Sequence, residues 1–375
     1  MAVIIGLDAR SIYDKVRRGT GKNLLDAYRA MAGLRPEWRF VLYHRGVVQD
    51  DPLADLPNVS SRVIEMPGDR WDLWEHLRLP AAARGDGVDV LHCPANSCPK
   101  LRWTRVVSTI HDLIPLKISD PSLNGSAGRF RAGLERCLRK SDRVITVSES
   151  TKQDLISDLG GDATRIDVIS WAADSACVPV GDQAVLARVR SRYNITGRYM
   201  LAFSGRSRRK NAEGMIRGFA KLSPDLQSQV QFVLIGVEPA EQRAHLTELI
   251  DTLGLAGRCD VFAFACEADI APLLSGADAL AFCSLYEGFG LPILDAFRCG
   301  TAVLTSKVSS MPEVAGDAAV YCDPACTDSM AAGMTRILSQ PELRDRLARR
   351  GLARLERFTW EKTAQALCGT FERCM

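Results

Sequence analysis

The sequence has 375 residues, of which 46% are hydrophobic and 25% charged, with a formal net charge of +3. This composition is typical of a globular chain, and the length suffices for two domains. The small positive charge gives no support for nucleic acid as a partner. No apolar run reaches the eighteen residues that a membrane span requires, and the N-terminus has a strand pattern rather than that of a signal peptide.

The cysteine pattern indicates free thiols. Twelve cysteines are scattered along the chain, and they form neither C-x-x-C pairs nor zinc-finger spacings with histidine. Cys283 and Cys299 lie within apolar runs, which is typical of small core residues. Free thiols in a chain of this size favour a reducing compartment, so we expect a cytoplasmic protein without a metal site.

Short apolar strands alternate with amphipathic helices, which is typical of parallel α/β sheets. In the first half we predict strands at 3–7, 40–43, 61–64, 88–92, 105–110, 143–147 and 166–169. The predicted helices are 21–32, 71–79 (closed by Pro80) and 148–159, with Ser148 as N-cap. The alternation of strands and helices is interrupted at residues 171–196. Strands then follow at 199–204, 230–235, 261–264, 279–283, 302–305 and 319–321. The helices between them are 211–222, 241–253, 270–275 and 292–298, and the chain is mostly helical from 328.

This order of elements predicts two Rossmann-like, doubly wound parallel-sheet domains that face one another across a cleft. We place the first domain at 1–178, a linker at 179–196, the second domain at 197–358 and a final helix at 359–375. Ligands of such sheets bind beyond the carboxyl ends of the strands, so candidate site residues are expected there.

The segment S-L-Y-E-G-F-G-L-P at 284–292 follows a predicted strand and opens a helix. Gly288 and Gly290 suit a tight turn, and Pro292 suits the first turn of the helix. Backbone N–H groups at such a helix start can bind a phosphate. Glu287 and Asp295 flank this turn, an arrangement suited to a sugar nucleotide. The alternative is that the two acids only cap and solubilise a helix.

A second segment, S-G-R-S-R-R-K-N at 204–211, follows the strand that opens the second half. Four of its residues are cationic and suit a diphosphate whose charge grows as it leaves: Arg206, Arg208, Arg209 and Lys210. The alternative is a solvated basic loop.

The block from Glu287 to Pro292, with an acid at Asp295, resembles the E-x7-E signature of retaining glycosyltransferases of family 4. The resemblance implies a GT-B architecture whose final helix returns to the first domain. It implies a donor sugar on Glu287 and a nucleotide ribose on Asp295, where the family usually has Glu. The turn residues would bind the donor: Gly288, Phe289, Gly290 and Leu291.

Further motifs extend the resemblance. The family's R-K-N element implies that Lys210, with Arg206 or Arg209, holds the donor diphosphate. The segment T-I-H-D-L-I-P implies that His111 contacts the donor hexose and aligns it. The loop R-R-G-T-G-K-N at 17–23 is not a Walker A motif. It resembles the family's glycine loop near the acceptor, with Gly19, Thr20 and Gly21.

The predicted function is a retaining, metal-independent hexosyltransferase of polysaccharide biosynthesis. It would need no cofactor and would act on a hydroxyl of a glycan or lipid-linked oligosaccharide. GDP-mannose is the first donor expected, because H-D-L-I-P with R-K-N resembles bacterial polysaccharide mannosyltransferases. The alternatives are a sugar-nucleotide epimerase or hydrolase and, third, a non-catalytic binding protein. A basic helix at 127–140 fits contact with anionic lipid at the membrane, and equally a solvated helix.

Overall fold

The computed structural model describes residues 2–14, 19–46, 50–66, 71–120 and 127–375. These residues form two compact units. Unit 1 contains 2–116, 127–172 and 358–375, and unit 2 contains 117–120 and 173–357. Each unit has one parallel sheet with helices packed against it, so the predicted class of two Rossmann-like α/β domains is confirmed.

Unit 1 is built on seven parallel strands. In chain order they are β1 Ile4–Asp8, β2 Arg39–His44, β3 Val59–Val63, β4 Val90–Cys93, β5 Arg105–Ile110, β6 Arg143–Thr146 and β7 Ile166–Val168. Their order in the sheet is β3-β2-β1-β4-β5-β6-β7. The helices that begin in this part are α1 Gly19–Leu34, α2 Trp71–Leu73, α3 Leu79–Gly85, α4 Ile114–Lys117, α5 Ala127–Lys140 and α6 Glu149–Leu159, with a 3-10 turn at Ala163–Arg165. The Ser148 hydroxyl caps α6 by accepting the Thr151 N–H, as predicted.

The prediction that Pro80 ends a helix is wrong. Helix α2 continues through a π-helical turn, Trp74–Arg78, directly into α3, and Pro80 lies in the first turn of α3. The Leu79 N–H donates to the Trp74 carbonyl, five residues earlier. This wider turn accommodates the proline ring, which would clash with the preceding carbonyl inside a regular α-helix.

Unit 2 is built on six parallel strands. They are β8 Arg198–Phe203, β9 Val230–Ile235, β10 Cys259–Phe262, β11 Ala279–Phe282, β12 Ala302–Ser306 and β13 Ala319–Cys322. Their order in the sheet is β10-β9-β8-β11-β12-β13. The helices are α7 Gln183–Arg192, α8 Ala212–Ala220, α9 Pro224–Gln229, α10 Ala240–Thr252, α11 Glu267–Ser275, α12 Leu291–Arg298, α13 Met311–Ala315, α14 Thr327–Ser339 and α15 Pro341–Arg354. Shorter 3-10 turns occupy Arg208–Lys210 and Leu355–Arg357, and the last helix is α16 Trp360–Glu372.

The segment predicted as a linker contains helix α7, which lies in unit 2. The Asp182 carboxylate caps this helix by accepting the Ala184 N–H at 2.8 Å. Val189 is its only fully buried residue, and Val185 and Leu186 are half-buried, so the helix has only a short apolar stripe to indicate it in the sequence.

Helix α16 belongs to unit 1, where it packs against α1. Thr363 Oγ1 donates to the Ser170 carbonyl at 2.8 Å, and Thr370 Oγ1 donates to Asp167 Oδ2 at 3.0 Å. The Asp167 carboxylate also pairs with Arg143 at 2.6 Å and Arg373 at 2.9 Å. These contacts, together with buried side chains such as Phe371, fasten the C-terminus to this unit.

His92 lies in the core of unit 1, fully buried in β4. Its Nδ1 is 2.9 Å from the Tyr28 hydroxyl and its Nε2 is 2.8 Å from Thr109 Oγ1. Burial and the neighbouring His111 lower the pKa of His92 to about 3. The imidazole is therefore neutral in the folded protein across the physiological range.

This buried imidazole predicts a pH dependence of stability. The unfolded chain takes up a proton on His92 below its ordinary pKa of 6.5, whereas the folded chain does so only near 3. Unfolding is therefore favoured as the pH falls from 6.5 towards 3, by about 1.4 kcal/mol per pH unit from this group. We expect His92→Gln to remove this contribution to the pH dependence of the free energy of unfolding, measured by urea titrations from pH 7 to pH 4.5. The exposed His245→Gln is the control, and equal slopes for wild type and His92→Gln would contradict the prediction.

Candidate active site

The candidate site of unit 2 lies where the strand order reverses. Strands β8 and β11 are neighbours, with Met200 opposite Ala279 and Ala202 opposite Ala281. Chain segments 204–211 and 284–290, here called the cationic turn and the acidic turn, follow these two strands. Because parallel strands end at the same edge, both turns emerge side by side at the switch point, where such sheets bind ligands.

Glu287 joins the two turns. Its Oε2 is 2.5 Å from Arg209 Nη1 and its Oε1 is 2.7 Å from Lys210 Nζ. The Ser284 hydroxyl donates to Oε1 at 2.8 Å. The residue is only 7% exposed, so the carboxylate is desolvated but compensated by two cations and a hydroxyl. The structure thus brings together Glu287, Lys210 and one of the two candidate arginines.

The charges of this cluster determine the protonation state of Glu287. Burial on its own raises the pKa of Glu287, but Lys210 and Arg209 outweigh it and hold the pKa below the ordinary 4.5. Glu287 is therefore an anion at neutral pH. Burial lowers the pKa of Lys210, and the Glu287 carboxylate works against that effect. Lys210 Nζ also lies 4.7 Å from the centre of the Phe282 ring, a favourable cation–π distance.

The acidic turn leads into α12 as predicted. Gly290 has a φ of +122°, a conformation that a side chain rarely adopts, and it immediately precedes the first helical residue, Leu291. Pro292 lies in the first turn, where its missing N–H leaves no bond unmade. At this helix start Pro292 has no N–H and the Ile293 N–H donates to the Gly290 carbonyl at 3.0 Å, so phosphate binding by the backbone here stays a prediction.

Two serines that the sequence analysis did not identify hold the acidic turn in place. Ser309 Oγ accepts the Glu287 N–H at 3.0 Å, and Ser310 Oγ donates to the carbonyls of Glu287 at 3.0 Å and Phe289 at 2.5 Å. Ser309 has a φ of +48°, which is uncommon for a residue other than glycine and occurs often at functional sites. The only sequence signal for them is their position just beyond β12, the strand that pairs with β11.

The remaining donor-site candidates are placed differently. Arg206 is exposed, whereas Arg209 contacts Glu287, so of the two candidate arginines only Arg209 lies in the cluster with Lys210. Asp295 is half-buried in α12, and its Oδ1 accepts the Asp174 N–H at 2.9 Å. Asp295 therefore fastens the chain at the start of the long segment of unit 2, a contact that the sequence did not indicate.

His111 lies in unit 1, just beyond the end of β5. Its Nε2 is 2.6 Å from the Pro94 carbonyl, its backbone N–H donates to Asn96 Oδ1 at 2.7 Å, and its ring stacks on Trp171. A carbonyl can only accept, so Nε2 carries the hydrogen. Burial lowers the pKa of His111, more than the Pro94 carbonyl and Asp112 raise it. In the neutral ring Nδ1 is then a hydrogen-bond acceptor, so His111 can accept from a hydroxyl rather than donate to one.

The predicted glycine loop forms the first turn of α1, where Gly19, Thr20 and Gly21 lie; residues 17 and 18 of the motif are outside the described residues. Near the carboxyl ends of β1 and β2, unit 1 has a cavity of about 300 Å³ whose lining includes Asp8, Arg10, Tyr13 and His44. This volume is at the lower end of those typical for small-molecule sites.

Arg10 is the centre of a buried ion cluster beside this cavity. Its Nη2 lies 2.5 Å from Asp8 Oδ2 and 3.0 Å from Glu75 Oε2, and its guanidinium stacks on the buried Trp74 ring at 4.5 Å. These contacts hold the Arg10 side chain, which lines the cavity, between Asp8, Glu75 and Trp74.

Within the described parts of the chain, no group of three or more His, Cys, Asp or Glu side chains is placed to hold a metal ion. No described helix combines the length and the apolar character needed to cross a membrane.

Comparisons with known proteins identify the family of this chain. The family described as Glycosyl transferases group 1 matches residues 188–354, and Glycosyltransferase Family 4 matches residues 20–176. The chain therefore belongs to the family 4 type of glycosyltransferase, and its fold is GT-B. Sucrose-phosphate synthase from Thermosynechococcus elongatus shares this fold, with a TM-score of 0.78 over 99% of this chain and 98% of that chain at 18% identity.

Relatives with assigned activities include two mannosyltransferases of Escherichia coli. O-antigen chain mannosyltransferase B is 28% identical over 287 residues, which are 76% of this chain and 75% of that protein. Serotype-specific mannosyltransferase WbdA is 28% identical over 290 residues, 75% of this chain. The match spans only 34% of WbdA, so this chain corresponds to about a third of that protein.

Proposed function

We propose that this glycosyltransferase moves a hexose from a nucleotide sugar to a hydroxyl of a glycan or lipid-linked oligosaccharide in polysaccharide biosynthesis. The observation that carries the proposal is Glu287, held as a buried anion by Arg209 and Lys210 at the switch point of unit 2. A carboxylate and two cations converging beside a helix start suit a sugar and a diphosphate bound together.

In this proposal the donor diphosphate binds Arg209, Lys210 and the N–H groups at the start of α12, and Glu287 binds the transferred sugar. The cations stabilise the charge that grows on the departing phosphate, which is the reason to expect transfer without a metal ion. His111 accepts a hydrogen bond from a sugar hydroxyl through Nδ1. Transfer proceeds with retention of the anomeric configuration, with the departing phosphate helping to deprotonate the acceptor.

GDP-mannose is the proposed donor, since the relatives above are mannosyltransferases. Unit 1, with its cavity and the turn Gly19–Gly21, is the proposed acceptor side.

We place the protein in the cytoplasm, with a peripheral position at the membrane for a lipid-linked acceptor. Helix α5 supports such contact through charge alone, because Arg129, Arg131, Arg139 and Lys140 are exposed on it while its apolar Leu134 and Cys137 are buried in the unit.

The test is a two-stage assay in EDTA. Calorimetry with GDP-mannose, UDP-glucose and UDP-N-acetylglucosamine identifies the donor, and mannose-containing oligosaccharides with and without a lipid anchor are then offered as acceptors. We expect GDP-mannose to bind and to be transferred in EDTA, with an α-linked product by NMR. Turnover that needs no acceptor would favour the epimerase or hydrolase. Activity lost in EDTA and restored by manganese would overturn metal independence.

Asp295 provides a separate prediction about the nucleotide. If its carboxylate binds the ribose, Asp295→Ala should weaken GDP affinity by about tenfold, the value of one charge-assisted hydrogen bond. Asp295→Glu, which restores the acid usual in the family, should retain binding. Because Asp295 also accepts the Asp174 N–H, the thermal stability of each variant is measured in parallel. A loss of stability with unchanged GDP affinity would assign Asp295 to the contact with Asp174 alone.

A further inference from the structure

Asp120 reaches the cationic turn from far upstream in the sequence. Its Oδ2 accepts the Ser207 hydroxyl at 2.5 Å and the Arg208 N–H at 2.8 Å. Asp120 is only 9% exposed, and it lies in the 117–120 segment, which the structure groups with unit 2. Residue 120 falls outside the 188–354 match that covers the cationic turn, so the turn is completed by a residue that its own sequence domain does not contain.

Within the cationic turn, the 3-10 turn Arg208–Lys210 is held separately at each end. At the far end Asn211, with a φ of +59°, donates from Nδ2 to the carbonyls of Cys283 at 3.0 Å and Pro324 at 2.8 Å. At the near end Asp120 binds both the hydroxyl and the backbone that begin the 3-10 turn Arg208–Lys210. Arg209 and Lys210 lie between these anchors, so their direction depends on both.

The Asp120 contacts gain importance when a donor binds. Without a ligand, Arg209 and Lys210 are also held by Glu287. A diphosphate that takes over these cations weakens their bonds to Glu287. The turn must then keep its shape through its ends and through the Leu285 N–H, which donates to the Arg209 carbonyl at 2.8 Å. A hydrogen-bonded carboxylate at the near end meets this requirement because it binds backbone and side chain together.

We propose that Asp120 is a positioning residue of the transfer reaction, which keeps Arg209 and Lys210 directed at the donor diphosphate. This inference rests on the proposed function, because it assumes that the cationic turn binds a diphosphate. A positioning role and a purely electrostatic role of Asp120 predict opposite changes in anion affinity when its carboxylate is removed. Removing a negative charge beside a cationic turn should strengthen anion binding through Coulomb attraction, whereas loss of the anchor should weaken it.

The experiment compares Asp120→Ala with Asp120→Asn by calorimetry with inorganic pyrophosphate and GDP, and by steady-state kinetics. We expect Asp120→Ala to weaken both ligands by about tenfold and to lower kcat/KM for the donor similarly, as expected for losing charge-assisted hydrogen bonds. The KM of the acceptor should not change. Asp120→Asn should bind within about threefold of wild type, since both donors use one oxygen that an amide can replace.

Asp182→Ala is the matched control, because that carboxylate also caps a helical turn of unit 2 by accepting a backbone N–H. It should leave pyrophosphate affinity unchanged. Unchanged or tighter pyrophosphate binding by Asp120→Ala would overturn the proposal, as would an Asn variant as weak as the Ala variant. Wild-type protein that binds pyrophosphate but not GDP would refute only the donor assignment. Wild-type protein that binds neither would refute the diphosphate site and the positioning role together.

Discussion

Glu287→Gln is expected to lower kcat at least about a hundredfold, the range seen when one preorganised electrostatic contact to a transition state is lost. The substitution retains the shape of the side chain and removes its charge. In our proposal that charge acts on the transferred sugar, where positive charge develops as the bond to the phosphate breaks. The effect should therefore appear in turnover.

Nucleotide affinity should not fall together with turnover in this variant. Glu287 occupies Arg209 and Lys210 at 2.5 and 2.7 Å, so a neutral side chain no longer competes with the diphosphate for them. We expect GDP to bind Glu287→Gln as tightly as wild type or more tightly. Calorimetry with GDP, alongside single-turnover kinetics, measures the two effects separately.

Stability needs its own control, because removing one partner of a buried ion pair costs about 3–5 kcal/mol. Asp167→Asn in unit 1 is closely matched, since that carboxylate also pairs with two cations, Arg143 and Arg373. It should lose stability and retain turnover per folded molecule. If Glu287→Gln behaves in the same way, Glu287 has a structural role only and the assignment to the sugar is wrong.

Lys210→Ala should cost about 3 kcal/mol of transition-state stabilisation, or roughly a hundredfold in kcat/KM for the donor. The Nζ that this variant loses lies 2.7 Å from Glu287 and against the Phe282 ring, in a buried setting where an ionic contact is strong. In the proposal it binds the phosphate that leaves, so kcat should fall together with kcat/KM.

Lys221→Ala provides the matched control for this prediction. Lys221 pairs with Asp328 at 2.6 Å, but both side chains are largely exposed, so the pair contributes little. Its removal should leave kcat and KM unchanged. Unchanged kcat/KM in a correctly folded Lys210→Ala protein would contradict a role for Lys210 in binding the diphosphate.

Much of the fold follows from local pattern. The buried strands of both sheets have runs of mainly apolar residues long enough to predict them, such as 279–282, which is buried throughout. Helix α7 escaped prediction because its apolar residues form only a short, narrow stripe. The helical segment that begins at α2 continues past Pro80 as α3 because a π-helical turn accommodates the ring. The local sequence shows the hydrophobic period and the capping residues of a helix. It does not show how a neighbouring π-helical turn relieves the clash of a proline ring.

By itself the sequence determined the two turns, because each consists of consecutive residues whose chemistry and spacing are local properties. The acid Glu287, the glycines after it and the cations before Asn211 were identifiable in this way. Only the tertiary structure decided that Arg209 rather than Arg206 faces Glu287, that Asp120 and Ser309 support the two turns, and that Asp295 binds the Asp174 N–H. Each of these contacts joins residues that are 22 to 121 positions apart in the sequence. Such contacts arise when parallel strands bring distant loops to one edge, and a linear pattern contains no record of that pairing.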